Sequence, residues 1–439
     1  MNSFFNNGLL PIVTNILSDF RKQGKDEFLT AELIRAHINH YVVDEGCNPN
    51  ISINANYGKF IKENEKILGV KEVQKDVPIR DDFGRESSCS QWEFIEIDDN
   101  SLMKRIEAKS KPIFTINPEF PTKNMLIELT NMCNHQCLFC ANSKMTRKKG
   151  SIDESFLKRI LKEAYHEGVE EVGYYTTGEP FMAKKLDQYV KWAKEIGYKY
   201  VYLTTNGALA TPERVKSVLD AGLDSIKFSI NAGSRETYKM IHGRDDFEQV
   251  IKNLKFISEY RSKNELNFKI FASFIVTRFT EKEKIELKLL INGLVDEIIY
   301  IDVANQGGMM YEINELLTLE NSDTQIRNLP CSLLFNAINI TYEGYLTACC
   351  VDFQNYLVVA DLNKVSLKEA WYCDLFKNLR EMHLTGAVEK TLCFNCVYNM
   401  NESVEPLNKN YSKKLSVKEF DKSDEIRQSV ANYFSELQE

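Results

Sequence analysis

The middle of the chain alternates between two hydrophobic patterns. Short apolar runs typical of buried strands occur at 125–129, 171–175, 200–204, 225–230, 269–276 and 297–303. Between them, apolar residues recur at helical spacing over about 153–167, 184–196, 212–221, 246–262 and 281–292. Strands that alternate with helices predict a parallel sheet, so residues 120–305 are predicted to form an α/β domain, a partial (β/α)6 barrel. Reactive residues are then expected at the carboxyl ends of the strands.

The first hundred residues follow a different pattern. Three amphipathic stretches, at about 8–22, 30–43 and 55–68, precede two short strand-like runs near 70–74 and 92–97 that flank a turn at 81–84. Three helices followed by a hairpin predict a small winged-helix-like domain over residues 1–105. Residues 1–100 contain 11 Lys and Arg against 17 Asp and Glu, so a binding role would suit a protein or peptide as well as DNA.

The remaining segments and the composition add the following expectations. Residues 306–405 are irregular and rich in cysteine, and residues 406–439 form a charged tail with a predicted helix at about 421–437. The 439-residue chain has a net charge of −8, which argues against a protein devoted to nucleic acid backbones. It contains no apolar run of membrane-spanning length and no signal-peptide pattern, which predicts a cytoplasmic protein without membrane association.

Three cysteines lie close together after the first predicted barrel strand. Cys133, Cys137 and Cys140 have the spacing C-x3-C-x2-C. Three thiolates on one loop can hold three irons of a [4Fe–4S] cubane and leave the fourth without a protein ligand. That iron could chelate S-adenosylmethionine (SAM) and pass one electron to its sulfonium. A zinc site is the alternative, but zinc sites usually take four ligands in C-x2-C pairs.

These cysteines and the motifs that follow resemble the radical SAM superfamily over about residues 124–305. Phe139 fills the aromatic position before the third cysteine. Gly178-Glu179-Pro180, at the end of the second predicted strand, is similar to the family's GGEP motif, with Thr177 in place of its first glycine. The resemblance implies that the backbone at Phe139 contacts adenine. It also implies that the Gly178-Glu179-Pro180 segment binds the SAM amino group through backbone carbonyls or a neighbouring side chain.

Further residues that match the family's motifs lie at the ends of the third, fourth and fifth predicted strands. Thr204-Thr205-Asn206-Gly207 is a common turn of the family. The resemblance implies that Ser229 and Asn231 contact the SAM ribose or carboxylate, and that Ile275 and Val276 form an apolar wall for adenine. The predicted SAM-contacting residues are therefore Phe139, Gly178, Glu179, Pro180, Asn206, Ser229, Asn231 and Val276.

A second group of cysteines lies near the end of the chain. Cys331, Cys349, Cys393 and Cys396 have the spacing C-x17-C-x43-C-x2-C and could ligate a second [4Fe–4S] cluster or a structural zinc. The segment resembles the SPASM/Twitch auxiliary-cluster domain, and its cysteine count implies one auxiliary cluster, nearer the Twitch arrangement. Either Cys349 or Cys350 could be the ligand at this position, and the resemblance favours Cys349.

The resemblance implies an enzyme that cleaves SAM reductively to a 5′-deoxyadenosyl radical, which abstracts a hydrogen atom from a substrate. The auxiliary cluster is expected to take part in electron transfer, with a flavodoxin- or ferredoxin-type electron donor. The expected reactions are peptide maturation, with the N-terminal domain gripping a precursor, or small-molecule oxidation. One alternative is modification of a nucleic acid base or nucleoside with the N-terminal domain as reader, and another is a non-catalytic iron–sulfur regulatory protein.

A few polar residues outside these motifs are weaker candidates. Asp302 would point into the barrel if Ile299 and Ile301 faced the outer helices, and a strand-end cap is the competing interpretation. Asp352 has the same standing. The basic residues at 144 and 147–149 could attract an anionic substrate or simply form a solvated face. None of the six histidines shows ligand spacing.

Overall fold

The computed structural model describes residues 13, 17, 29–30, 61–62, 70–80, 86–94, 114–311, 316–318 and 329–412. The chain divides into two compact units, residues 1–99 and residues 100–439. Within the described ranges, no helix combines the length and the apolar character needed to cross a bilayer.

The first unit contains a three-stranded antiparallel sheet. Strands β2 (Val70–Arg80) and β3 (Glu86–Phe94) form the predicted hairpin, and a short strand β1 (Leu29–Thr30) pairs with β3. The strand order is therefore β1-β3-β2. Sequence reasoning missed β1, which is only two residues long. The helices predicted at 8–22, 30–43 and 55–68 fall largely outside the described residues, so the winged-helix interpretation stays a prediction.

The second unit is built on six parallel strands that pair in chain order. They are β4 (Asn124–Ile127), β5 (Glu171–Tyr174), β6 (Tyr200–Thr205), β7 (Ser225–Ser229), β8 (Lys269–Val276) and β9 (Glu297–Asp302). All six strands of the predicted barrel are confirmed to within two residues at each end. The predicted α/β fold with a parallel sheet is therefore correct.

Six helices connect these strands or cover them. They are α1 (Glu154–His166), α2 (Leu186–Ile196), α3 (Pro212–Asp220), α4 (Arg235–His242), α5 (Phe247–Lys263) and α6 (Lys284–Leu290). Five of them were predicted, and α4 was not. Ser234 caps α4 by accepting a hydrogen bond from the Thr237 N–H, and Gly243 ends it in the left-handed region at φ +64°.

Alternate residues of the strands face opposite sides of the sheet. On β7, Ile226 and Phe228 are fully buried among the helices, whereas Lys227 lines a cavity on the other side. That inner side encloses the barrel lumen. The lumen is thus lined partly by polar side chains, while the apolar residues stabilise the packing between the sheet and the helices.

Three more strands extend the sheet beyond β4. Strand β10 (Ile338–Ile340) pairs in parallel with β4, and β11 (Tyr345–Thr347) and β12 (Val358–Asp361) follow in antiparallel order. Residues 341–344 form the turn between β10 and β11. Where the structure gives complete bounds, the helices of this region are α7 (Leu333–Asn336), α8 (Leu367–Trp371), α9 (Asp374–Thr385) and α10 (Leu392–Tyr398). The helix predicted at 421–437 lies outside the described residues.

Candidate active site

The loop after β4 carries the three clustered cysteines and is anchored to α4. The Leu138 N–H donates to the Ile241 carbonyl at 2.9 Å, and the Gln136 N–H donates to the His242 carbonyl at 3.1 Å. Inside the loop, the Cys140 N–H donates to the Cys137 carbonyl at 3.0 Å. The helix that sequence reasoning missed is therefore the one that positions the cysteine loop.

The three thiols of the loop are poorly solvated. Burial, together with the nearby Glu179 carboxylate, raises the pKa of Cys133 to about 12. Burial also raises the pKa of Cys137 well above its ordinary value, with contributions from Cys140 and Cys133. Three thiolates gathered in this way require a cation to compensate them, and a set of iron ions would do so. The donor set therefore fits an iron–sulfur cluster.

Two histidines lie against this loop. The Nδ1 atom of His242 is 3.3 Å from the Cys137 sulfur and 3.2 Å from the Nδ1 atom of His135. The Nε2 atom of His242 donates to the Ile230 carbonyl at 2.8 Å, which leaves Nδ1 as an acceptor. Sequence spacing concealed this group because residues 135 and 242 are far apart in the chain. Since Cys137 is the predicted cluster ligand, the two imidazoles pack beside the cluster position.

The Gly178-Glu179-Pro180 turn at the end of β5 is fastened to the cysteine loop. The Glu179 N–H donates to the Met132 carbonyl at 2.9 Å. A Cβ atom on Gly178 would lie 2.8 Å from the Met132 carbonyl oxygen and closer still to that of Thr130. The close approach of these two backbones therefore requires glycine at position 178.

The Glu179 side chain is occupied by the protein itself. Its carboxylate accepts hydrogen bonds from the Thr205 hydroxyl at 2.7 Å, the Asn206 N–H at 2.8 Å and the Phe181 N–H at 3.0 Å. Burial raises the pKa of Glu179, and these hydrogen bonds oppose that shift. The carboxylate thus joins the end of β5 to the end of β6, and Pro180 begins a single 3-10 turn after it.

The other predicted SAM-contacting residues at the strand ends also make contacts within the protein. The Asn206 amide donates to the Asn134 side chain at 2.8 Å. Asn231 is 1% exposed, adopts the left-handed region at φ +59°, and accepts from the Ile275 N–H at 2.9 Å. Ser229 faces the lumen, where its hydroxyl lies 3.3 Å from that of Ser273. Asn206 and Asn231 are therefore tied into the frame of the site.

The two residues of the predicted adenine wall, Ile275 and Val276, face opposite sides of the sheet. Ser229 and Ser273 face the lumen, so Ile275 does too, and Ile275 packs in an apolar cluster with Cys137, Cys140 and the buried Phe139. Val276 has the opposite orientation and packs in the outer core. The wall of the lumen beside the cysteine loop therefore includes Ile275, and a contact of Val276 with SAM stays a prediction.

The second group of cysteines surrounds an apolar cavity in the C-terminal region. Cys331, Cys349, Cys393 and Cys396 line an empty volume of about 370 Å³, together with aliphatic side chains such as Leu334. Burial and the neighbouring Cys396 raise the pKa of Cys393. Four thiols around one apolar cavity are a donor set that fits a fully cysteine-ligated [4Fe–4S] cluster.

The adjacent Cys350 has the opposite orientation. It lines a larger cavity in the barrel lumen, which has an empty volume of about 1150 Å³ including its open mouth. Cys349 does not line this larger cavity, and Cys350 does not line the cavity of the other four cysteines.

The weaker candidates are not substrate-facing residues. Ile299 and Ile301 pair with Ser273 and Ile275, which face the lumen, so these two isoleucines face the lumen rather than the outer helices. Asp302 therefore lies on the outer face of β9, together with Tyr300. Asp352 is 2% exposed, and its carboxylate accepts from the Tyr356 N–H, the Leu357 N–H and the Thr347 hydroxyl.

Three of the four basic residues after Cys140 make side-chain contacts within the protein. Arg147 bridges Glu128 and Glu343. Lys144 donates to the Met309 carbonyl at 3.3 Å, and Lys149 donates to the Asn142 side chain at 3.2 Å. These contacts explain the basic loop without a substrate.

Comparison with known proteins agrees with this geometry. Residues 127–298 match the family model of the radical SAM superfamily, and residues 331–397 match that of the SPASM iron–sulfur cluster-binding domain. A probable GTP 3′,8-cyclase of Saccharolobus solfataricus is 36% identical over 253 residues, which cover 56% of this chain and 80% of that protein. This chain belongs to the radical SAM superfamily. The radical SAM and SPASM domains together imply SAM and two [4Fe–4S] clusters.

Other proteins are similar to this chain over part of its length. An uncharacterised protein of Methanocaldococcus jannaschii is 32% identical over 212 residues, 48% of this chain and 66% of that protein. Among solved structures, BtrN in complex with AdoMet and 2-DOIA covers 66% of this chain and 97% of its own, at 19% identity and a TM-score of 0.43. Streptococcus suis SuiB bound to the precursor peptide SuiA covers 87% of this chain and 86% of its own, at 15% identity and a TM-score of 0.48.

Proposed function

We propose that this radical SAM enzyme abstracts a hydrogen atom from a substrate, a peptide side chain or a small molecule, bound in the barrel lumen. The observation that carries the proposal is the joining of the cysteine loop to the Gly178-Glu179-Pro180 turn, which places three thiols and a strand-end turn beside the lumen. When bound at Cys133, Cys137 and Cys140, the cluster supplies the electron that cleaves SAM to methionine and the 5′-deoxyadenosyl radical.

The residues of the chain would divide the remaining tasks. Because the Glu179 carboxylate is already occupied, the backbone carbonyls of its turn are the acceptors for the SAM amino group. Ser229 faces the lumen with a hydroxyl suited to a SAM polar group, and Ile275 supplies an apolar surface for adenine. The apolar residues around the loop, Phe139 among them, limit the access of water to the site.

The auxiliary cluster is assigned to Cys331, Cys349, Cys393 and Cys396. Their common apolar cavity supports Cys349 over Cys350 as the ligand. Four protein thiolates leave no open iron for a substrate, so the role proposed for this cluster is to accept the second electron of an oxidation. The proposed donor of the first electron is a flavodoxin or a ferredoxin.

The test uses anaerobically reconstituted protein with dithionite and SAM. We expect about eight irons per chain and formation of 5′-deoxyadenosine. Cys133→Ala should abolish 5′-deoxyadenosine, whereas Cys373→Ala should not, because Cys373 lines neither cysteine site. Wild-type activity in Cys133→Ala would refute the mechanism, and absence of product with a verified substrate would favour the regulatory alternative.

A nucleotide reaction is a second candidate. It is favoured by the 36% identity to a protein named as a probable GTP 3′,8-cyclase, which extends over 80% of that relative. Incubation of the reconstituted enzyme with SAM, dithionite and GTP tests it. Turnover-dependent loss of GTP would support the nucleotide reaction, and unchanged GTP would leave the first proposal.

A further inference from the structure

The lumen cavity contains a cation that the protein does not neutralise. Lys227, on the inner face of β7, lines this cavity together with Tyr175, Tyr202 and a second lysine, Lys123. Its ammonium group lies 5.8 Å from the centre of the Tyr175 ring. Among the described residues, no carboxylate or hydrogen-bond acceptor contacts the Lys227 nitrogen. The side chain is half-buried, and burial lowers the pKa of Lys227 to about 8.

The other lysine of the cavity shows the contrast. Lys123 lies 3.3 Å from Glu170 and 3.2 Å from Glu171, so its charge is compensated. Lysine is rarely buried unless it is paired. A ligand that enters the cavity could therefore supply the counter-charge that Lys227 lacks within the protein.

A second polar group that lines the same cavity also lacks a partner. Asn339, on β10, is 1% exposed and lines the lumen cavity. Both polar atoms of its side-chain amide are buried without a hydrogen-bond partner among the described residues. Buried amides are nearly always hydrogen-bonded, so Asn339 is independent evidence that a polar ligand belongs here.

We propose that Lys227 and Asn339 form a subsite for an anionic group of the substrate, a carboxylate or a phosphate. The ammonium would pair with the anion, and the amide would donate a hydrogen bond to the same ligand. The phenols of Tyr175 and Tyr202 stay neutral because burial raises the pKa of both, so they would not repel an anion. This inference rests on the proposed function, since the lumen is where that function places the substrate.

The experiment uses inorganic phosphate and acetate as probes on the reconstituted holoenzyme. Binding is measured by titration calorimetry at constant ionic strength for the wild type, Lys227→Met, Lys227→Arg and Asn339→Leu. Lys191→Met is the control, since Lys191 lies on the exposed face of α2. We expect saturable binding of one equivalent of an anion, weakened by about tenfold or more in Lys227→Met and largely retained in Lys227→Arg and the control.

The two probes distinguish the possible sources of the anion. Tighter phosphate binding indicates a phosphorylated substrate, and tighter acetate binding indicates a carboxylate. The inference is overturned if the wild type binds neither anion saturably or if Lys227→Met binds both as the wild type does. The same samples are assayed for 5′-deoxyadenosine, so a failure of the proposed function is seen separately, as loss of this product from the wild type.

A second inference concerns the auxiliary site and rests on a different residue. His383, on α9, is 1% exposed and lines the cavity of the four cysteines. Its Nδ1 atom accepts a hydrogen bond from the Cys331 N–H at 3.2 Å, so the ring proton is on Nε2. The Nε2 atom is buried and has no partner among the described residues. A donor without an acceptor therefore lies in the wall of the auxiliary site.

We propose that the Nε2–H group of His383 donates a hydrogen bond to a sulfur of the auxiliary cluster and raises its reduction potential. Hydrogen bonds to cluster sulfurs stabilise the reduced, more negative state. His383 would then be a positioning residue that favours transfer of an electron to this cluster. Like the first inference, this one depends on the proposed function for the identity of the group that is bound.

The potential of the auxiliary cluster is measured by redox titration with EPR detection. His383→Leu should lower it by the equivalent of about a tenfold change in the reduction equilibrium, with the SAM cluster unchanged. His166→Leu, a change of an exposed histidine, should alter neither potential. Unaltered potentials in His383→Leu would overturn the inference. If His383→Leu loses its auxiliary cluster, the inference is tested instead on wild-type protein with ¹⁵N-labelled histidine. The coupling between histidine nitrogen and the reduced auxiliary cluster is then measured by EPR, and the absence of such coupling would also overturn the inference.

Discussion

Gly178→Ala is the sharpest test of how the site is built. Cβ atoms in proteins rarely come closer than 3.4 Å to a neighbouring atom, and a Cβ on Gly178 would lie 2.8 Å from the Met132 carbonyl oxygen. The strand-end turn and the cysteine loop must therefore separate by about 0.6 Å or more. A misplacement of about 1 Å in an active site can cost about 100-fold in rate. We expect 5′-deoxyadenosine formation to fall by about 10- to 100-fold in this variant.

The assay compares initial rates of 5′-deoxyadenosine formation on preparations matched for iron content. Gly293→Ala is the control for a general loss of stability: Gly293 has φ +75°, so alanine is strained there, but a Cβ would meet no atom within 4 Å. Gly293→Ala should lower the melting temperature and leave the rate unchanged. A wild-type rate in Gly178→Ala at equal iron content would refute the view that the two backbones position SAM.

Two further predictions concern the frame of the protein. Arg147→Met removes the cation that Glu128, which is 2% exposed, shares with Glu343. The free energy of unfolding, measured by denaturation, should therefore fall by about 3–5 kcal/mol. A loss below about 1 kcal/mol would contradict a buried network. Cys393→Ser should lower the iron content from about eight to about four per chain, whereas Cys350→Ser should leave it unchanged. Equal iron in Cys393→Ser and the wild type would remove Cys393 from the auxiliary site.

The barrel was predictable because most of its strands contain a short apolar run and the segments between them have helical spacing. Strand β8, for example, is buried at six of its eight positions, so its apolar run was clear in the sequence. The cysteine spacing was visible for a similar reason, since ligands on one loop are neighbours in the chain. Features that depend on a single strand and its immediate loop were therefore accessible to sequence reasoning.

The missed features depend on contacts between distant segments. Helix α4 is only eight residues long, and its start is polar and charged, so it resembled a loop. Its consequence, the contact of His242 with Cys137, joins residues separated by 105 positions. The orientation of β9 was misjudged because Ile299 and Ile301 are apolar and nevertheless face the lumen. A strand with apolar residues on both faces gives no signal of which face is inside.

The arrangement of Cys349 and Cys350 links the two halves of the proposed reaction. Cys349 borders the auxiliary cavity, Cys350 borders the lumen cavity, and both border a smaller cavity of about 210 Å³ between them. One residue of backbone therefore separates the proposed electron acceptor from the space proposed for the substrate. A substrate radical formed in the lumen could lose its second electron to the auxiliary cluster without the substrate leaving the lumen. If the substrate radical forms in the lumen as proposed, this proximity would favour oxidation over rearrangement as the net outcome.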